Sequence, residues 1–305
     1  MSIAPEPVHL IADLEQWSFP GTALAVVGRP IAHSVSPAMH NAALAELARL
    51  QPGFGDWHYF KFDIAPHELA RALRLFHQHK FHGLNLTVPH KSLALEQLVS
   101  REVFVRDAGA ANTLIHTEAG WHGANTDGTG LSAALRLDFG LEMAGSRIVL
   151  LGAGGAARAA ALECLREHCA SLWIGNRTQD TLTALLTSLR AFATGTDLHG
   201  FDLRRPPTEL PAGSTVINAT SLGLGVGDPA PIDLTAIARP ARVYDMIYRP
   251  GQTNLLRQAA ELHIANSNGL SMLVHQGARS LELWTKMSVS TQIMHEAACA
   301  ALRDH

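Results

Sequence analysis

Charge is scarce in this sequence, and so are cysteine and long apolar runs. Asp, Glu, Lys and Arg make up 17% of the 305 residues and nearly cancel, leaving a formal charge of −3. So balanced a chain presents no field to a polyanion, and neither nucleic acid nor an anionic membrane surface is expected as a partner. No apolar run approaches the roughly 20 residues of a membrane span. Three cysteines, Cys164, Cys169 and Cys299, cannot all pair and cannot staple a fold, which points to a reducing, cytoplasmic setting. The first nine residues lack the basic and apolar segments of a secretory signal. What is plentiful is apolar side chain, 47% of the total, enough for a packed core, and the length suits two domains.

Seventeen histidines invite a metal reading, best at His77, His79 and His82. His77 and His79 are two apart at the end of a helical pattern and so point to different faces, while His82 begins a strand. Cys164 and Cys169, five apart in an Ala-rich helix, do not have zinc spacing either and read as buried packing residues. No metal is expected.

Residues 1–20 read as a peripheral extension with one weak amphipathic turn at 10–17. Strands are then expected at 23–27, 57–62 and 83–87, with helices at 37–50 and 67–77 between them and a hairpin at 113–116 and 120–124. A helix over 127–137 starts at Asp127. A second alternating series follows, with strands at 147–151, 172–175, 215–218, 243–247 and 263–265. Helices at 155–168, 179–191 and 253–262 lie between them, with a short one at 234–238. Residues 270–302 are helical by periodicity. Such alternation gives an α/β fold with parallel sheets.

Residues 149–157, VLLGAGGAA, run from a strand into a glycine-rich turn and then a helix. The spacing is that of G-x-G-x-x-A. Gly152 makes the turn, Gly154 lets a pyrophosphate approach the backbone, and Ala157 packs helix on strand. Ala153, Gly155 and Ala156 complete the turn, and the helix N-terminus offers N–H groups to phosphate. At the end of the next strand, where an NAD enzyme carries an acid for the ribose, stand Asn176, Arg177 and Thr178. An arginine there can pair with a 2′-phosphate, so NADP is favoured over NAD.

Four further segments are rich in hydroxyls and amides where a core would want Leu or Val: GRPIAHSVSP at 28–37, GLNLTVPHK at 83–91, GAANT at 109–113 and GANTD at 123–127. Ser34 and Ser36, just before a helix, can hold a carboxylate or cap the helix. Lys91 and Asp127 are a lysine and a carboxylate able to relay the proton of a substrate hydroxyl. With no cysteine or Gly-x-Ser-x-Gly nucleophile, hydride transfer is the chemistry that fits.

With these motifs the sequence resembles the shikimate dehydrogenases, over roughly residues 26–284. The pieces GRPIAHSVSPAMHN, LNLTVPHK, GAANT, GANTDGTG, LLGAGGAARAA, NRT, VINATSLG, YDMIY and NGLSMLVHQGA occur in family order. The resemblance implies NADP-linked interconversion of 3-dehydroshikimate and shikimate on the route to chorismate and the aromatic amino acids. It implies an N-terminal α/β substrate domain, residues 1–126, to which 270–305 return, and a Rossmann-type NADP-binding domain over 127–269. By the same resemblance Ser34, Ser36 and Tyr248 bind the substrate carboxylate, Thr87, Asn112 and Gln276 hold its hydroxyls, and Lys91 and Asp127 form the catalytic dyad. Asn218, Thr220, Met246, Gly269 and Met272 match positions along the ribose and nicotinamide. The family often carries a second basic residue after NRT; here Gln179, Asp180 and Thr181 follow, which loosens the hold on NADP and admits NAD. The alternatives are a quinate/shikimate dehydrogenase using NAD or NADP and, in another class, a non-catalytic metabolite sensor. The chain is expected to act as a monomer or homodimer.

Overall fold

The computed structural model describes residues 6–303. The chain divides into two compact units, one running to Thr126 and resuming at Val274, the other spanning Asp127–Leu273.

The first unit carries a seven-stranded sheet, β1 (Val8–His9), β2 (Thr22–Gly28), β3 (Trp57–Asp63), β4 (Gly83–Leu86), β5 (Leu98–Arg101), β6 (Thr113–Thr117) and β7 (Gly120–Ala124), in the order β1-β3-β2-β4-β6-β7-β5. β1, β3, β2 and β4 are parallel, and the β6–β7 hairpin pairs antiparallel to β4. Helices α1 (Ile11–Glu15), α2 (Ser36–Leu50), α3 (Leu69–Gln78), α4 (His90–Leu93) and α5 (Val103–Ala108) connect these strands. The face of α3 is legible in its spacing: Leu69, Ala72, Leu73 and Phe76 recur at i, i+3, i+4 and i+7, and all four are buried.

The second unit is a six-stranded, wholly parallel sheet: β8 (Arg147–Leu151), β9 (Ser171–Asn176), β10 (Asp197–Asp202), β11 (Thr215–Asn218), β12 (Arg242–Asp245) and β13 (Ala265–Asn268). Their order, β10-β9-β8-β11-β12-β13, is the 3-2-1-4-5-6 of a Rossmann-type dinucleotide-binding sheet. Helices α6 (Asp127–Phe139), α7 (Gly155–Arg166), α8 (Gln179–Leu189) and α9 (Asn254–Glu261) belong to it, and α10 (Leu270–Thr285) and α11 (Thr291–Arg303) follow. Val149, Leu151, Val216 and Val243 from three central strands pack in one core cluster, because strands covered on both faces must be apolar throughout. Cys164 and Cys169 are fully buried free thiols in this unit, and burial lifts the Cys169 thiol to about 11.

Four expectations change. The N-terminal extension is not peripheral where it is described (residues 1–5 lie outside the described residues): Val8 and His9 add a strand beside Lys61 and Phe62 of β3. Leu14 is fully buried, and the Trp17 ring meets Phe60, Phe81 and Phe62 at 4.8, 5.2 and 5.3 Å. Burying such side chains contributes about 2 kcal/mol each, which ties the segment down. Residues 234–238 form no helix, since the Asp233 carboxylate takes both the N–H and the hydroxyl of Thr235 and holds a turn instead. The strand expected at 263–265 starts two residues later, because His263 adopts a left-handed φ of 52° beyond the end of α9. The terminal helical stretch breaks at Lys286 (φ 58°), where the Thr285 hydroxyl accepts the Met287 N–H, and restarts from Ser290.

Candidate active site

Register places four of the polar segments at one end of the first sheet. Val27 of β2 pairs with Leu86 of β4, Asn85 of β4 with Thr113 of β6, and Thr113 with Ala124 of β7. The loop after β2, the Thr87–Lys91 turn after β4, Asn112 before β6 and Asn125–Thr126 after β7 therefore all leave the sheet at the same end. In open α/β sheets the carboxyl ends of parallel strands are where ligands bind.

The loop after β2 is held from several sides. The Arg29 N–H donates to the Val88 carbonyl at 3.0 Å and the Arg29 guanidinium pairs with Asp63 at 3.4 Å. Lys61, buried in β3, donates its Nζ to the Ala32 carbonyl at 3.0 Å, and burial lowers its pKa, with Glu6 opposing that shift. The Ser34 hydroxyl accepts the Ser36 N–H at 3.3 Å, and Ser36, buried, opens α2. One turn on, His40 is bonded through Nδ1 to the Ser36 carbonyl at 2.8 Å and stacks on Tyr59 at 4.0 Å. Burial pulls its pKa down to about 4 despite that bond, so it is a neutral packing group at pH 7.

After β4, the Thr87 N–H donates to Val27 and the Thr87 carbonyl accepts from His90, while Lys91, partly exposed in α4, accepts the Ala111 N–H on its carbonyl at 2.8 Å. Asn112 is buried and fully wired. Its amide donates to Thr126 Oγ1 at 2.9 Å and Gln276 Oε1 at 3.1 Å, and its side-chain carbonyl accepts from the Thr113 hydroxyl and the Thr126 N–H, each at 2.9 Å. Beneath it Asn85 donates to Ser280 Oγ at 2.9 Å and accepts from the Tyr59 hydroxyl at 2.7 Å, and Ser280 also meets Thr113 Oγ1 at 2.7 Å. A buried polar network this complete fixes its members in one geometry, whereas a partly satisfied one would destabilise the fold.

In the second unit the corresponding end of the sheet begins with Gly152, whose φ of 111° and proximity to the Ala219 carbonyl (3.1 Å from an added Cβ) exclude a side chain. An added Cβ on Gly154 or Gly155 would meet nothing within 4 Å, so the turn faces open space over the start of α7, whose N-cap is Gly154 and carries no side-chain cap. The turn fits a pyrophosphate on backbone N–H groups. After β9, the Asn176 amide donates to the Thr178 carbonyl at 2.9 Å; Thr178 is the N-cap of α8, yet its hydroxyl makes no cap bond, and Arg177 is exposed.

After β11 and β12 a carboxylate organises the backbone. Asp245 is fully buried; Oδ1 accepts from the Asn218 amide at 2.9 Å and the Ile247 N–H at 3.1 Å, and Oδ2 from the Thr253 hydroxyl at 2.7 Å. Asn218 in turn accepts the N–H and hydroxyl of Thr220. Burial pushes the Asp245 carboxyl up, and the bonds from Thr253, Ile247 and Asn218 oppose that shift. Met246 and Gly269 touch backbone to backbone, since an added Cβ at Gly269 would fall 2.1 Å from the Met246 carbonyl oxygen. A relay from Asp138 through Ser271 (2.6 Å) to Tyr244 (3.2 Å) ends on the Met272 N–H at 3.3 Å. Tyr248, partly buried after β12, has its phenol pKa raised by burial. Asp127, buried, opens α6. Among the described residues no group of three His, Cys, Asp or Glu side chains is placed to hold a metal, and no helix is long and apolar enough to cross a membrane.

Known proteins place this arrangement. Residues 26–114 match the shikimate dehydrogenase substrate binding domain, and residues 269–299 the shikimate 5'-dehydrogenase C-terminal domain. The shikimate dehydrogenase (NADP(+)) of Geobacter metallireducens is 36% identical over 282 residues, covering 92% of this chain and 96% of that protein. The chain belongs to the shikimate dehydrogenase family. Among solved members, the shikimate 5-dehydrogenase of Thermus thermophilus, in complex with NADP(H) and shikimate, is 33% identical with a TM-score of 0.79, covering 92% of this chain and all of that one (100%). A ligand-free 5-ketofructose reductase of Gluconobacter sp. strain CHM43 is 30% identical with a TM-score of 0.78 over 92% of this chain and 99% of the other.

Within this family frame, Ser34, Ser36, Thr87 and Lys91 lie together at one sheet end with Asn112, and Gln276 comes to Asn112 from 164 residues away. Gly152–Ala156, Asn176–Thr178, Asn218, Thr220, Met246, Tyr248, Gly269 and Met272 end or follow strands at the carboxyl end of the second sheet. The roles of Asp245, Thr253, Asp138 and Ser280 are not legible in the motifs. Only Asp245 left a signal, an acid interrupting the apolar and aromatic run VYDMIY.

Proposed function

We propose that this protein is an NADP-dependent shikimate dehydrogenase that interconverts 3-dehydroshikimate and shikimate. The observation that carries the reading is the buried amide–hydroxyl row at the end of the first sheet, Asn112 wired to Thr126 and Gln276. It is a rigid set of donors and acceptors suited to a polyhydroxylated ring rather than to an apolar ligand. Ser34, Ser36 and Tyr248 bind the carboxylate, and Thr87, Asn112 and Gln276 hold the hydroxyls, Asn112 and Gln276 by exchanging the bond between them for bonds to the substrate. Lys91 and Asp127 handle the proton that leaves the substrate hydroxyl. Gly152, Ala153, Gly154, Gly155 and Ala156 seat the pyrophosphate, and Asn176, Arg177 and Thr178 the adenosine ribose. Asn218, Thr220, Met246, Gly269 and Met272 line the nicotinamide end. NADP, when bound, supplies the hydride acceptor or donor; the protein's own groups orient the carbinol and move its proton.

The test against a non-catalytic sensor is direct. Shikimate and NADP mixed with the full chain are expected to give reduced nicotinamide absorbance in proportion to enzyme. Shikimate binding by calorimetry with no reduction of NADP would overturn the reading.

A further inference from the structure

A dianionic phosphate held by one exposed guanidinium is weakly held, and Gln179, Asp180 and Thr181 add no cation after Arg177. The neighbouring strand supplies what those positions lack. β10 runs parallel to β9 in a register that pairs Phe201 with Gly175 and Asp202 with Asn176. The Leu203 N–H then donates to the Asn176 carbonyl at 3.2 Å, carrying the pairing one step past the strand ends. Arg177 leaves one strand where Arg204 and Arg205 leave the other, and adjacent strands lie only about 4.8 Å apart.

The second turn is fixed. Asp202 Oδ1 accepts the Arg204 N–H at 3.0 Å and the Asp202 carbonyl accepts the Arg205 N–H at 2.9 Å. Arg177, Arg204 and Arg205 are all exposed, and among the described residues none of the three guanidiniums has an ion pair or a side-chain hydrogen bond. The nearby acids in sequence are Asp202, whose Oδ1 takes the Arg204 N–H of the turn, Asp180 at the start of α8 and the exposed Glu209. Three unpaired guanidiniums at the end of the two strands next to the glycine turn are a device for a phosphate monoester, because a planar fork binds phosphate in a bidentate way.

We propose that Arg204 and Arg205 join Arg177 as the clamp for the adenosine 2′-phosphate, so that selection of NADP over NAD rests on two strands rather than on the segment after β9 alone. This deepens the proposed function and rests on its cofactor assignment. The probe is binding without turnover: calorimetric titration of the full chain with adenosine 2′,5′-bisphosphate, 5′-AMP, NADP and NAD. In the R204Q/R205Q variant the Kd for adenosine 2′,5′-bisphosphate and NADP is expected to rise about tenfold or more, the scale of one lost charge-assisted contact. The Kd for 5′-AMP and NAD is expected to stay within twofold, which also shows the variant folded. An NADP Kd within twofold of wild type in that variant would overturn the clamp alone. A wild-type chain that binds NADP no more tightly than NAD would overturn both the clamp and the cofactor assignment.

Discussion

Replacing Lys91 with alanine is expected to lower turnover of shikimate by about 10²- to 10⁴-fold, while the Kd for shikimate changes only a few-fold. The magnitude is that of a lost general acid–base group. It falls on turnover because the carboxylate and hydroxyl contacts are proposed to come from other residues: Ser34, Ser36, Thr87, Asn112 and Gln276. The backbone of Lys91 is anchored through its carbonyl to Ala111, so truncating the side chain leaves α4 in place. Lys91→Arg separates two roles. Arginine keeps the positive charge but does not release its proton, so a positioning role survives the change and a proton-transfer role does not. At least a tenfold loss is expected in Lys91→Arg, with binding retained. A Lys91→Ala enzyme at wild-type rate would contradict the assignment.

Asp245→Ala is the second large effect. It strands the Ile247 N–H and the Thr253 hydroxyl, both buried, and removes the group that ties the ends of β11 and β12 to the start of α9. Leaving these buried donors without an acceptor costs about 1–3 kcal/mol each, a drop of roughly 10 °C in apparent melting temperature. Asp245→Asn keeps one carbonyl acceptor and lets the Thr253 hydroxyl turn round to accept from the new amide, so it is expected to lose less than about 1 kcal/mol. The pH dependence separates Asp from Asn at this position further. Burial raises the Asp245 carboxyl above its ordinary 3.8, so the folded state prefers the proton. The residue's contribution to stability is then fully present below 3.8 and is lost as pH rises through the raised value. The Asn variant should therefore gain stability relative to wild type as pH rises above 3.8. An alanine variant melting within 2 °C of wild type would show that the carboxylate organises nothing.

Local features of the fold were legible in the sequence, and long-range ones were not. β8 and β11 have the expected bounds because fully buried parallel strands are short, β-branched and punctuated by glycine or asparagine. The glycine turn is read from nine consecutive residues and needs no partner. In contrast, β10 (DLHGFD) and β5 (LVSR) carry too few apolar residues to announce strands; they form because they lie beside β9 and β7. The N-terminal strand has two residues and exists only through its pairing with β3. The site divides in the same way. The polar motifs marked which segments carry chemistry, but Ser280 under Asn112 and Asp138 behind Met272 depend on contacts 167 and 133 residues apart in sequence, which periodicity does not encode. Arg204 is a third case, visible only when the register of β9 and β10 is known.

The most direct test of the central claim is a rate matrix, kcat/KM for shikimate and quinate, each with NADP and NAD. The highest value is expected for shikimate with NADP, with the preference for NADP falling in R204Q/R205Q. A preference for quinate with NAD would contradict it.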